Sequence, residues 1–184
     1  MAETLDTSEY KLVELKAMVE NVDSARKQLD HLKACHIGTF RQIDTYFDVP
    51  KGRLKLREIE GSKEAELIYY EREDVTGPKG SDVFILRIRK PETFKVLLEK
   101  VLKKKVIVDK KREIYRYRGT QIHLDTVKDL GKFIEFERKT QGSVKDFHKD
   151  EQILEDLMKK LGVKEENLVK ESYSDLLLRK KECI

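Results

Sequence analysis

No stretch of the chain approaches the roughly 18 consecutive apolar residues that a membrane-crossing helix needs. The N-terminal MAETLDTSEY has neither the basic nor the apolar region of a secretory leader, so the expectation is a cytoplasmic protein without a membrane partner. Cysteine is scarce: Cys35 and Cys183 form neither a disulfide framework nor a metal cluster, as suits a reducing compartment. Cys183 is second from the end, whereas a prenylation box needs its cysteine fourth from the end. There is no internal repeat or low-complexity stretch, and three prolines leave the chain little interrupted. Nor is there a long block of one charge sign, which argues against a nucleic-acid-binding arm.

What the chain has is charge of both signs. Of its 184 residues 40% are charged, with 39 Lys+Arg against 35 Asp+Glu and a formal net charge of +4, beside a hydrophobic fraction of 39% that is ample for a core. That length fits one domain over residues 1–184. Strand-like segments rich in Val, Ile, Leu, Tyr and Phe at period two occur near 10–19, 39–49, 53–60, 64–73, 82–90, 104–117, 120–127 and 131–139. Several of them are joined by glycine turns. Apolar residues at helical spacing predict helices over 22–34, 91–102 (opened by Pro91) and 147–161 (closed by Gly162), with shorter candidates at 165–169 and 172–178. About eight strands with few crossover helices predict an α+β chain built on an antiparallel sheet, and eight strands suffice to close a barrel.

Strand parity then sorts the charges by face. Val13, Leu15, Ala17 and Val19 share one face of the first strand, and Glu14 and Lys16 the other. Lys55 and Arg57 oppose Leu54 and Leu56, and Arg72 aligns with Ile68 and Tyr70. Arg87 aligns with Arg89, Lys110 with Arg112, His123 with Asp125, and Glu135 with Glu137. Two readings follow. In one, each sheet has a packed face and a solvated charged face. In the other, the charged faces converge inside a barrel, where opposite charge, metal or ligand must balance them. A cationic set (Lys16, Lys55, Arg57, Arg72, Arg87, Lys110, Arg112) with an acidic set (Glu14, Asp125, Glu135, Glu137) suits a polyphosphate held with a hard divalent cation such as Mg²⁺ or Mn²⁺.

VELKA, DTYFDVPKGRLKLRE, ELIYYER, VDKKREIY, HLDTVKDLGKFIEFE and SYSDLL, in that order and over nearly the whole chain, resemble the CYTH superfamily, the triphosphate tunnel metalloenzymes. The likeness is greatest to the class IV adenylyl cyclase-like branch, with thiamine triphosphatases as more distant relatives. The resemblance implies an eight-stranded antiparallel barrel with flanking helices, a tunnel that binds a triphosphate through basic residues, and carboxylates that hold Mg²⁺ or Mn²⁺. Lys16 and Glu14 then match the N-terminal E-x-E-x-K motif, and with Arg57 they form the catalytic set. Lys55, Arg57, Arg72, Arg87, Lys110 and Arg112 join Lys16 as phosphate ligands, while Glu14, Asp125, Glu135 and Glu137 are implied as metal ligands. The implied partner is a small-molecule triphosphate, such as ATP or inorganic tripolyphosphate, and family members often pair into homodimers.

One position departs from the motif. Leu12 stands where its first glutamate belongs, and leucine can neither ligate a cation nor act as a base. Either another carboxylate such as Glu9 fills the gap or one metal position is weakened. Three outcomes stay open: hydrolysis, cyclisation of ATP to cyclic AMP and pyrophosphate, and a non-catalytic triphosphate-binding module. His123, beside Asp125, reads more simply as a structural or surface histidine than as a ligand or base. Cys35 is placed at a helix end, His31, His36 and His148 on helices or loops, and Tyr173 reads as the residue that docks a terminal helix.

Overall fold

The computed structural model describes residues 6–182, so Cys183 and the first five residues, with the readings made of them, lie outside the described residues. Eight strands form: β1 (Thr7–Met18), β2 (Cys35–Phe47), β3 (Arg53–Ile59), β4 (Ala65–Arg72), β5 (Lys79–Ile88), β6 (Lys104–Tyr117), β7 (Thr120–Val127) and β8 (Gly131–Thr140). They close an antiparallel barrel in the order β1-β5-β4-β3-β2-β6-β7-β8, with β8 returning to β1. Four helices flank it: α1 (Val22–His31), α2 (Pro91–Val101), α3 (Val144–Lys160) and α4 (Tyr173–Glu182). Among the described residues no helix is long and apolar enough to cross a membrane.

The barrel keeps its apolar face outward where helices can cover it. Val13, Leu15, Ala17, Ile122, Leu124, Ile134 and Phe136 point away from the lumen and bury against Ala25 and Leu29 of α1 and Leu154, Leu157 and Met158 of α3. On the opposite wall Phe47, Leu56, Ala65 and Ile88 pack around Leu98 of α2. Each Val, Leu, Ile, Phe or Met side chain removed from water contributes about 1.5–3 kcal/mol, and the alanines less. The alternate positions therefore have no choice but to face the lumen, because side chains on a strand alternate. Turn chemistry fixes the register. Arg118 and Gly119, with φ of 46° and 79°, make the two-residue link from β6 to β7, the backbone that a tight hairpin requires.

Local signals account for the differences from the sequence reading. The side chain of Ser143 accepts a hydrogen bond from the Asp146 amide, so α3 begins at Val144, ahead of its apolar stripe. Helix α1 stops at His31 because Lys33 is left-handed (φ 55°) and the Ala34 amide closes back on the Leu29 carbonyl at 2.9 Å. Cys35 and His36 therefore open β2 instead of ending a helix or lying in a loop. The expected helix at 165–169 is a single turn of 3-10 helix, Glu165–Asn167. Beyond it the Val169 amide bonds to the Lys16 carbonyl at 2.9 Å and Leu168 bridges Ala17, which draws the chain out along β1.

Candidate functional site

The inward positions enclose a cavity of about 690 Å³, within the range of small-molecule sites. Eight cations (Lys16, Lys55, Arg57, Arg72, Lys110, Arg112, Arg116 and Lys139) line it, against five carboxylates (Glu14, Asp44, Glu66, Glu135 and Glu137). The lining thus carries a formal surplus of three cations, with Arg116 and Lys139 exposed and the other six buried or half-buried. At the end where β2 begins and β6 finishes, the wall is apolar and partly exposed, with Tyr10, Ile37, Phe40, Ile59, Ile85 and Ile114. Arg116 and Lys139 are exposed at this end too, whereas Lys16, Lys55, Lys110 and Arg112 are buried.

One carboxylate organises much of the cationic wall. Asp44, 1% exposed, accepts from Arg57 at 2.8 and 2.9 Å, from Lys55 at 3.0 Å and from Lys110 at 2.7 Å. Burial opposes its charge, but Arg57, Lys110 and Lys55 outweigh burial and hold it well below the ordinary carboxylate range. Three cations sharing one anion leave the least stabilised of them weakly charged. Burial, aided by Arg57, Arg112 and Lys55, pushes Lys110 down to about 7 against the pull of Asp44.

Across the lumen the acidic strands are wired differently. Arg112 forms a bidentate pair with Asp125 (2.8 and 2.6 Å) and also donates to Glu135. Glu135 further pairs with Lys16 at 3.0 Å. Burial opposes the Glu135 charge too, and Lys16 and Arg112 overcome it, so this carboxylate stays ionised well below its usual range. Glu14 is held by Arg72, which also reaches Asp74 at 3.2 Å. The β1–β8 register sets Glu14 directly opposite Glu137, two like charges side by side, an arrangement that favours a cation between the strands. His123, 3% exposed, turns Nδ1 toward Glu135 (3.7 Å) and Glu137 (3.6 Å). The ligand atoms of these three residues lie within 4.8 Å of one another. Those separations are too long for hydrogen bonds, and among the described residues the buried Nδ1 has no hydrogen-bond partner. A carboxylate pair flanking an orphaned imidazole nitrogen fits a divalent ion.

The far end of the lumen is covered by the segment that leads into α4. Lys79, 2% exposed, donates to the carbonyls of Val169 (3.1 Å) and Lys170 (2.9 Å), and burial next to Arg72 pushes it down to about 8. Arg53 pairs with Asp175 at 2.8 Å. Tyr173 enters the barrel, donates to Asp125 at 2.9 Å and lies 4.0 Å beneath the Lys16 ammonium. It docks the terminal helix, as its sequence context suggests.

Most of the expected residues converge on the lumen: Glu14, Lys16, Lys55, Arg57, Arg72, Lys110, Arg112, Glu135 and Glu137 all line it. Two do not. Arg87 has the inward parity but sits at the rim, half-exposed and paired with Asp6 (3.1 Å) and Glu64 (3.6 Å). Asp125 is fully buried behind the cavity wall, with its oxygens accepting from Arg112 and Tyr173. Glu9 does not fill the gap at Leu12, because it is exposed on the outward parity of β1. Leu12 itself packs with Tyr46, Ile68, Tyr70 and Val83. Sequence reasoning missed Asp44 and Lys79. The alternation Gln42, Asp44, Tyr46 could have placed Asp44 inside, whereas nothing local to Lys79 points to the chain segment that it grips.

A CYTH domain model matches residues 11–173. The chain belongs to the CYTH domain family. A curated relative, a candidate adenylate cyclase of Methanocaldococcus jannaschii, is 25% identical and covers 89% of this chain and 97% of its own length. Among solved structures, a Pyrococcus horikoshii protein superposes with a TM-score of 0.81 at 24% identity, covering 90% of this chain and 98% of its own. A Hippeastrum protein, described as a candidate adenylyl cyclase with a dominant triphosphatase activity, gives a TM-score of 0.65 at 16% identity, covering 94% and 96%. The CYTH barrel is thus the shared frame, and the residues inside it are this chain's own.

Proposed function

We propose that the barrel binds a triphosphate in its basic lumen, with a divalent metal ion, and performs phosphoryl chemistry on it. The observation that carries this reading is the surplus of cations over carboxylates, built on the inward positions of a closed barrel. Family membership supports it, as does the triphosphatase activity described for the Hippeastrum protein. Lys16 on β1, Lys55 and Arg57 on β3, Arg72 on β4 and Lys110 and Arg112 on β6 all line the lumen. Each offers phosphate oxygens more donors than its present carboxylate partner uses. Held inside a wall that excludes most water, the transferring group meets fixed positive charge without reorganisation, which is the main source of rate in phosphoryl transfer. Glu135 and Glu137 would hold the divalent ion, which would supply Lewis-acid neutralisation of phosphate charge.

The apolar rim of Tyr10, Phe40, Ile59, Ile85 and Ile114 gives a nucleobase a surface to rest on, which favours a nucleoside triphosphate over inorganic tripolyphosphate. The alternative reading, a triphosphate-binding module without turnover, rests on the apolar setting of Leu12. A panel of ATP, GTP, thiamine triphosphate, tripolyphosphate and pyrophosphate, each with Mg²⁺ and Mn²⁺, separates the two by release of phosphate, pyrophosphate or cyclic AMP. Turnover that vanishes in Glu135→Gln and Arg57→Ala supports the enzyme. Tight binding with no product supports the module.

A further inference from the structure

We infer that His123 is a metal ligand, and that with Glu135 and Glu137 it makes a mixed nitrogen–oxygen site selecting Mn²⁺ or Co²⁺ over Mg²⁺. The inference deepens the reading above, on which it rests only for the phosphate oxygens that would complete the coordination shell.

The imidazole is prepared for this role on both sides of its ring. Nε2 lies 3.3 Å from Gln121 Oε1, an acceptor that can hold the proton on Nε2 and so free the Nδ1 lone pair for an ion. Nδ1 faces the two carboxylates at 3.6 and 3.7 Å and is buried with no hydrogen-bond partner among the described residues. A buried acceptor left without a partner costs about 1–3 kcal/mol, so its persistence is explained by a ligand that accepts the lone pair. Neighbouring ligands of an ion with bonds of about 2.0–2.2 Å lie roughly 3–3.5 Å apart, so Nδ1 is within a few tenths of an ångström of that spacing to each carboxylate, and all three atoms lie within 4.8 Å of one another. Register makes the placement obligatory. His123 pairs with Glu135 across β7–β8, and Gln121 with Glu137, so ligand and orienting amide occupy successive inward positions. Lys16 and Arg112 also bind Glu135, and each of its oxygens keeps a second lone pair for an ion.

The site also resolves the Leu12 departure. A carboxylate is missing from β1, and β7 offers a nitrogen donor to the Glu135–Glu137 pair instead. The exchange changes metal preference, because Mg²⁺ demands hard oxygen ligands in near-ideal octahedral geometry, whereas imidazole suits mid-row transition ions.

The test is calorimetric titration of the full chain with MnCl₂, CoCl₂ and MgCl₂, and separately with tripolyphosphate in chelator. The wild type should bind Mn²⁺ and Co²⁺ at least about ten-fold more tightly than Mg²⁺. In His123→Ala that preference should collapse through loss of Mn²⁺ and Co²⁺ affinity, with metal-free tripolyphosphate binding retained. Equal Mn²⁺ affinity in wild type and His123→Ala overturns the inference while leaving the triphosphate reading intact. His123-dependent Mn²⁺ selectivity without tripolyphosphate binding does the reverse. Should His123→Ala not fold, the wild type decides by imidazole ¹H–¹⁵N spectra recorded with Zn²⁺. One Nδ1 resonance should move from the free lone-pair to the metal-bound position, with His31, His36 and His148 as internal controls. An unmoved His123 Nδ1 overturns the assignment.

Discussion

Asp44→Asn is the most informative single perturbation of the cationic wall. It keeps the shape of the side chain and removes the one negative charge shared by Lys55, Arg57 and Lys110, all within 2.7–3.0 Å of its oxygens. Asp44 is almost wholly buried, so bulk solvent cannot take its place. Removing one partner of a buried ion pair costs about 3–5 kcal/mol, and at roughly 2–4 °C per kcal/mol for a chain of this size the melting temperature should fall by about 6–20 °C. The second half of the expectation concerns the ligand. If Asp44 stands in for substrate phosphate, added tripolyphosphate should stabilise the variant more than the wild type, since the freed cations regain an anion. Thermal unfolding with and without millimolar tripolyphosphate measures both quantities. A loss below about 1 kcal/mol, or a ligand-induced shift no larger than that of the wild type, would refute the assignment of Asp44 as the counter-ion of the phosphate-binding wall.

Other expectations follow from the same geometry. Arg57→Ala should weaken tripolyphosphate binding about 30-fold or more, the scale for removing a buried charge partner, whereas Arg87→Ala at the rim should leave binding unchanged and stability within about 0.5 kcal/mol. Parallel titrations check the contrast. Lys110 is held near pH 7 in the fold, below the roughly 10.4 of an unfolded lysine. Between those values the unfolded chain binds the extra proton, so this group makes stability rise with pH from about 7 upward, and Lys110→Met should remove that slope in denaturation profiles. At pH 8, tripolyphosphate should draw about one proton onto Lys110, which titration calorimetry in buffers of different ionisation enthalpy detects. Leu12→Glu should give no gain in turnover, because His123 already supplies a donor and the new carboxylate enters an apolar cluster; a gain above about ten-fold contradicts this.

The sequence is easiest to read where a local rule decides the structure. All eight strands are legible because alternation and glycine turns are local, and the outward apolar face of β1 emerges from parity alone. Parity gives the face of a strand but not its depth along the barrel. Arg87 therefore passes the same test as Arg57, although it lies where the wall ends and solvent begins. Parity cannot name partners either. Asp125 has the residue type and the inward direction of a metal ligand, yet Tyr173, 48 residues downstream, returns to cover it. Charge sorting overlooks Asp44 because a lone carboxylate within a basic set matters only once three strands are seen to surround it. His123 is hard to read for a related reason. A histidine on a strand is most simply structural until the register sets two glutamates before one nitrogen and a glutamine behind the other.

The central claim is that the lumen is a triphosphate site, and calorimetric titration of the wild type with tripolyphosphate and ATP in Mn²⁺, beside Arg57→Ala, tests it most directly. The account expects one site per barrel, saturable and salt-sensitive, with affinity falling about 30-fold or more in the variant. No binding at millimolar ligand, or equal binding by wild type and Arg57→Ala, would contradict it.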